Sequence, residues 1–194
     1  MSAPTRVIIP EAPSGIPAKA MPHLNAISSP FLVQKDVVTL TLRAHTSIKL
    51  ISGGVHHVYN TDADVDIVVS EALDTGSIEP GKDYYVYLCR NAGVWSWTVS
   101  LASTFPVAST ADTSRKIGGF HTLCADVGDI SGHPLSGYVV GDVLPASVWC
   151  LNHRPECSPE GMVWSEKAKI WVDIYMQSGV GENTASAYGA TMTD

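Results

Sequence analysis

Tyr84-Tyr85-Val86-Tyr87-Leu88-Cys89-Arg90 and Val94-Trp95-Ser96-Trp97-Thr98-Val99-Ser100 stand on either side of Asn91-Ala92-Gly93. Aromatic and β-branched residues dominate both runs, the composition that fits a pleated and partly buried surface. A short polar break ending in glycine predicts a tight hairpin with Gly93 left-handed. The same grammar extends outward from this hairpin. Upstream, Val38, Leu40 and Leu42 alternate with Thr39, Thr41 and Arg43, the period-two signature of a half-buried strand. Further strands are expected at Ile48–Ile51, Val55–Tyr59 and Val65–Val69, then downstream at Lys116–His121, Tyr138–Val143, Ser147–Leu151 and Ala168–Met176. Glu79-Pro80-Gly81-Lys82 places proline and glycine where a type II turn needs them. No stretch has the periodicity of an amphipathic helix. The expected fold class is mainly β, a β-sandwich.

The N-terminal stretch reads differently. Six of the twelve prolines fall within the first thirty residues: Pro4, Pro10, Pro13, Pro17, Pro22 and Pro30. Each removes a backbone donor and biases its predecessor toward extended geometry, so neither helix nor central strand survives there. An extended arm with one short strand at Arg6–Ile9 is expected. Its apolar residues (Val7, Ile8, Ile9, Met21, Leu24, Ile27) favour an arm that docks over a solvated tail. The chain then divides into an anchoring arm (residues 1–36), a β-sandwich connector (37–181) and a linker (182–194) toward a further domain.

Composition narrows the function. Across 194 residues, 12 Lys and Arg against 19 Asp and Glu give a net charge of −7, which repels phosphate backbones and argues against nucleic-acid binding. No apolar run approaches the roughly 18–20 residues of a membrane span, so no membrane insertion is expected. The start Met1-Ser2-Ala3-Pro4-Thr5-Arg6-Val7-Ile8-Ile9-Pro10 lacks the apolar core of a secretory signal. Four cysteines (Cys89, Cys124, Cys150, Cys157) are too few and too spread for a disulfide scaffold in a chain of this length.

Motifs of catalysis are absent: there is no Cys-x-x-Cys, His-Glu-x-x-His, phosphate loop or Gly-x-Ser-x-Gly. Asp62-x-Asp64-x-Asp66 opens like a calcium loop, but Ile67 stands where glycine is required and Leu73 where a bidentate glutamate is required. One constellation has metal-ligand chemistry: His121-x-x-Cys124 followed by Cys150-x-x-His153-x-x-x-Cys157, a ligand set that zinc accepts. Unligated thiols and a hydrogen-bonded histidine are the plainer reading, and no cofactor is expected. His56 and His57 point to opposite faces of a strand and cannot chelate one ion together. Trp95 and Trp97 share a face at i, i+2, which suits a sugar-stacking platform, and equally a core or subunit contact.

A set of motifs taken in order carries a family resemblance. Pro80-Gly81-Lys82-Asp83-Tyr84-Tyr85-Val86-Tyr87-Leu88-Cys89 is followed by Arg115-Lys116-Ile117-Gly118-Gly119-Phe120-His121 and Ser147-Val148-Trp149. His153-Arg154-Pro155, Pro159-Glu160-Gly161-Met162 and Trp171-Val172-Asp173-Ile174-Tyr175-Met176 complete the series. From about Thr46 to Gly181 the chain resembles the middle region of the major tropism determinant family, trimeric receptor-binding proteins at the tips of bacteriophage tail fibres. The resemblance implies a β-sandwich between an N-terminal anchor and a C-terminal C-type-lectin domain that carries the receptor-binding residues. Two departures stand out. The proline-rich arm does not look like the family's β-prism anchor. The chain stops at Ala187-Tyr188-Gly189-Ala190-Thr191-Met192-Thr193-Asp194, about where the lectin domain is expected to begin. No receptor-contacting residue is therefore carried over.

The matching residues have physical readings of their own. Gly118-Gly119 permits close backbone approach or a kink, with Phe120 packing beside it. His153-Arg154-Pro155 through Gly161 and Met162 is a turn-rich approach to the last strand. That strand is expected to bury Ile170, Val172, Ile174 and Met176, leaving Trp171, Asp173 and Tyr175 for a subunit contact. The resemblance implies a virion protein and not an enzyme: the anchor and connector of a tail fibre, homotrimeric, docked through residues 1–36 on a tail, baseplate or capsid protein. The rival reading is a carbohydrate-binding module that touches the host surface through Trp95, Trp97 and nearby tyrosines.

Overall fold

The computed structural model describes residues 24–151, 159–179 and 185–190. Among these the chain is built from antiparallel sheets, with no α-helix. The hairpin that opened the sequence reading lies at the centre. β7 (Asp83–Asn91) and β8 (Val94–Ser100) turn through Ala92 and Gly93, both at positive φ (48° and 86°), the signature of a type I′ turn. β9 (Ser114–His121) pairs with the other side of β7, and β10 (Trp149–Cys150) extends the sheet to four strands in the order β10-β9-β7-β8. A second sheet joins β1 (Leu24–Ala26), β4 (Thr46–Ser52) and β5 (Val55–Asn60); a third joins β2 (Leu32–Asp36), β3 (Thr39–Leu42) and β6 (Val65–Val68). The β4–β5 hairpin turns on Gly53 and Gly54, at φ 55° and 78°.

One apolar core joins these three sheets. Phe31, Leu32, Leu40, Leu42, Ile48, Tyr59, Ile67, Val86, Leu88, Ile117 and Phe120 all belong to it. β7 is buried on both faces from Tyr84 through Cys89. Tyr84, Val86 and Leu88 face the main core, whereas Tyr85, Tyr87 and Cys89 gather with Trp149 in a second cluster. Burial on both sides explains why this strand reads as a continuous apolar run rather than an alternating one.

The C-terminal part adds two small hairpins, β11 (Met162–Ser165) with β12 (Ile170–Asp173), and β13 (Gln177–Ser178) with β14 (Ala185–Ser186). Here the orientation is the reverse of the sequence expectation. Trp171 packs against the second cluster, with Trp164 beside it at 5.7 Å between ring centroids. Ile170, Val172 and Met176 are instead 53%, 45% and 73% exposed. The large indole outweighs the smaller side chains because it removes more apolar surface from water.

Other expectations are corrected too. Tyr138–Val143 forms no strand; only Val143 makes a bridge, to Thr122. Gly137 and Gly141 take left-handed φ (81° and 90°) there, and the Asp142 and Asp126 carboxylates accept the N–H groups of Val139 and Val140. Donors captured by side chains do not enter a ladder. Within Ser147–Leu151 only Trp149 and Cys150 pair, after a 3-10 turn at Pro145–Ser147. Within Ala168–Met176 the strand is confined to Ile170–Asp173, following Lys169 at φ 56°. Residues 24–36, assigned to the arm, carry β1 and β2, and β14 lies within the segment read as a linker. The stretch Arg6–Ile9 lies outside the described residues.

Candidate functional site: a histidine-centred latch

The residues that join the C-terminal hairpins to the main sheet form a connected polar cluster. Asp83 begins β7 and His121 ends β9, directly opposite in register. His121 is 3% exposed and uses both ring nitrogens: Nδ1 lies 2.9 Å from Asp83 Oδ1 and Nε2 lies 2.9 Å from the Tyr175 hydroxyl. An Nδ1–H donating to the carboxylate leaves Nε2 to accept from the tyrosine, so the neutral imidazole is satisfied at both ends. Asp83 Oδ1 also accepts the Gly161 N–H at 3.0 Å. One carboxylate oxygen on the main sheet therefore holds both a histidine and the backbone leading into β11.

The cluster continues through Ser186. Its hydroxyl donates to the Gly161 carbonyl at 2.9 Å and accepts the Tyr175 N–H at 3.0 Å. Gly161 sits at φ 66°, and a Cβ there would overlap the Ser186 carbonyl, so this position requires glycine. Gly81, at φ 65°, lies equally close under the Tyr188 ring, 2.6 Å from where its Cβ would stand. Tyr85 donates to Glu160 at 2.6 Å. Burial pushes the Tyr85 hydroxyl well above the usual tyrosine range, and the bond to the Glu160 carboxylate adds to this. Tyr175 is raised by burial first and then by its hydrogen bond with Cys124. These groups hold protons tightly, as structural hydrogen-bond donors do. The arrangement fastens the C-terminal hairpins to the main sheet.

The residues singled out in the sequence divide accordingly. Gly118, Gly119, Phe120, His121, Gly161, Trp171 and Tyr175 all lie in the sheet or in the contacts that fasten the C-terminal hairpins to it. Met162 pairs with Asp173 across β11 and β12, and Asp173 accepts from Gln177. Arg154 and Pro155 lie outside the described residues, as do His153 and Cys157 of the zinc set. The structure brings His121 and Cys124 together around the Tyr175 hydroxyl, while Cys150 is buried opposite Gly118. Among the described residues no three His, Cys, Asp or Glu side chains are grouped to hold a metal. Asp64 and Asp66 bind Ala44 N–H, Thr41 and Lys35 rather than converging on one point. Trp95 and Trp97 pack edge-on to Tyr59, at 5.6 and 5.3 Å, beside the core. Asp83 and Glu160 stood inside quoted motifs without a role of their own, and Ser186 was not named. The one available signal was the i, i+2 spacing of Asp83 and Tyr85 at the mouth of a strong strand.

Strands and latch together define an antiparallel β module whose polar residues tie the C-terminal hairpins to the main sheet. A family model described as the Mtd second domain matches residues 30–150, and the chain belongs to that family. It is 30% identical over 135 residues to the tail fiber receptor-binding protein of Bordetella phage BPP-1, covering 67% of this chain and 33% of that protein. Among solved structures, the Major Tropism Determinant P3c and I1 variants superpose with TM-scores of 0.62 and 0.61 at 22% identity. Each of these matches covers 80% of this chain and 38% of the other. The chain thus spans about a third of the length of the curated relative it matches. By their names, these relatives are a tail fiber receptor-binding protein and tropism determinants.

Proposed function

We propose that the chain is the anchor-and-connector part of a bacteriophage tail-fibre receptor-binding protein and that it acts in the virion. In this reading the three larger sheets around one core form a β-sandwich, and the residues before it grip a tail, baseplate or capsid protein. The latch sets the direction in which the chain leaves toward a distal host-recognition domain. The single observation that carries the reading is the family match over residues 30–150, to which the Asp83–His121–Tyr175 connection gives a mechanical role. Self-association as a homotrimer belongs to the proposal, and threefold repetition multiplies weak contacts into avidity.

Two measurements test it. Light scattering of the purified chain is expected to give three times the monomer mass; a monomer at all concentrations overturns the self-association. Removing residues 1–23, which spares β1, is expected to leave a folded chain that no longer enters particles. Normal incorporation of that shortened chain overturns the role of the arm.

A further inference from the structure

The two C-terminal hairpins have no core of their own. Among the described residues every buried hydrophobic side chain lies at or before Cys150, and beyond it only Pro159 and Gly161 are buried. No strand pairing joins β11–β12 or β13–β14 to the larger sheets. The contacts that do join them run through side chains. Asp83 accepts the Gly161 N–H, the Tyr175 hydroxyl meets His121, Tyr85 donates to Glu160, and Trp171 packs on the second cluster. Three of these four are polar bonds, each of small net worth because water competes for the same groups. The fourth is a single, partly buried indole.

Between themselves the hairpins are tied directly. The Ile174 N–H donates to Gly161 O at 2.8 Å, and Ser186 Oγ bridges Gly161 O and the Tyr175 N–H at 2.9 and 3.0 Å. The Tyr175 and Tyr188 rings lie 5.7 Å apart. A segment with few buried apolar contacts opens at a lower free energy than the core it rests on, and internal ties make it open as one body. We propose that the two hairpins form a strap that lifts as one unit from the aromatic face of β7 while the three larger sheets stay folded. Closed, the strap covers the cluster of Tyr85, Tyr87, Cys89 and Trp149 through Trp171, and it caps the His121 ring through Tyr175. Lifted, it returns Asp83, His121 and the Tyr85 hydroxyl to water, which takes over their hydrogen bonds. The direction in which the chain leaves the module is then set only in the closed state. The inference does not rest on the tail-fibre reading.

The test is hydrogen exchange of the full chain, read at single amides and divided by each amide's intrinsic rate. Gly161, Ile174 and Tyr175 report on the strap; Val99 and Val143, bonded to Ala72 O and Val37 O, report on the larger sheets. The three strap amides are expected to share one opening constant, at least a hundredfold larger than that of Val99 and Val143. Tyr175→Phe removes the hydroxyl from His121 and keeps the ring. It is expected to raise exchange at Gly161 and Ile174 about fivefold and to leave Val99 and Val143 unchanged. Strap amides that exchange as slowly as Val99 and Val143 overturn the inference, because the hairpins then open only when the whole chain unfolds. Three unrelated rates in the unsubstituted chain overturn it too, since the hairpins then fray piecemeal. So does a Tyr175→Phe effect confined to residue 175.

Discussion

A tyrosine hydroxyl shielded from water is held in its neutral form, and Tyr85, Tyr87 and Tyr175 are three such groups among the described residues. Tyr85 donates to Glu160 and Tyr87 donates to Ala102 O, both at 2.6 Å; Tyr175 bonds His121. Burial is the leading cause of the upward shift in each, and Tyr87 is pushed up to about 12. In the unfolded chain these hydroxyls ionise near pH 10. Above that pH the folded state retains more protons than the unfolded state, so stability falls as pH rises. The contribution is complete below pH 10 and is lost on the way up through the folded values. Each tyrosine steepens the loss by up to about 1.4 kcal/mol per pH unit. Urea unfolding at intervals from pH 8 to 12 is expected to show this decline, and Tyr85→Phe is expected to make it shallower. An unchanged slope in that variant contradicts the assignment of Tyr85 as a buried neutral donor.

At the scale of elements, the joint between β9 and β10 depends on an absence of side chains. Gly118 and Gly119 pair with Cys150 and Trp149. A Cβ on Gly118 would overlap the Trp149 carbonyl and approach Leu32 Cδ2 to 2.8 Å; on Gly119 it would come within 2.6 Å of the Tyr84 carbonyl. Gly118→Ala is expected to cost about 2–3 kcal/mol, since backbone on one side cannot give way. Chemical unfolding measures it, and a cost below 1 kcal/mol would mean that β10 shifts without penalty. These glycines, the β7–β8 hairpin and the Pro80-Gly81 turn were legible because each is a local conflict or preference, resolved within a few residues. Trp171 was legible as a ring on a strand but not in its direction. Alternation reports that two faces differ and does not report which faces inward, and the arbiter was Trp149 and the β7 tyrosines, distant in sequence. Tyr138–Val143 failed for a related reason: its apolar residues matched a strand, but the Asp126 and Asp142 carboxylates took the donors. The latch was half legible: His121, Tyr175 and Asp83 stood in quoted motifs, Asp83 without a role of its own, and Ser186 emerged only through the fold.

For the whole molecule, the inverted C-terminal hairpin turns Trp171 toward the second cluster and leaves Ile170, Val172 and Met176 exposed. Trp171 and Tyr175 are engaged within the chain, so they have little left to offer a neighbour. Ile170 and Val172 share a face with Val163, which pairs with Val172 across β11 and β12, and Met176 lies exposed just beyond. That face gains nothing by facing water. If copies of the chain assemble, this is the surface with most to gain from association. Ile170→Lys with Val172→Lys places two like charges on it without touching the latch. The variant is expected to keep its unfolding midpoint at monomer level, since exposed substitutions change stability by about 0.5 kcal/mol or less. If the proposed trimer forms through this face, the variant's mass by light scattering is expected to be that of a monomer. A doubly substituted chain that associates as the unsubstituted one does would place any contact between copies on another surface.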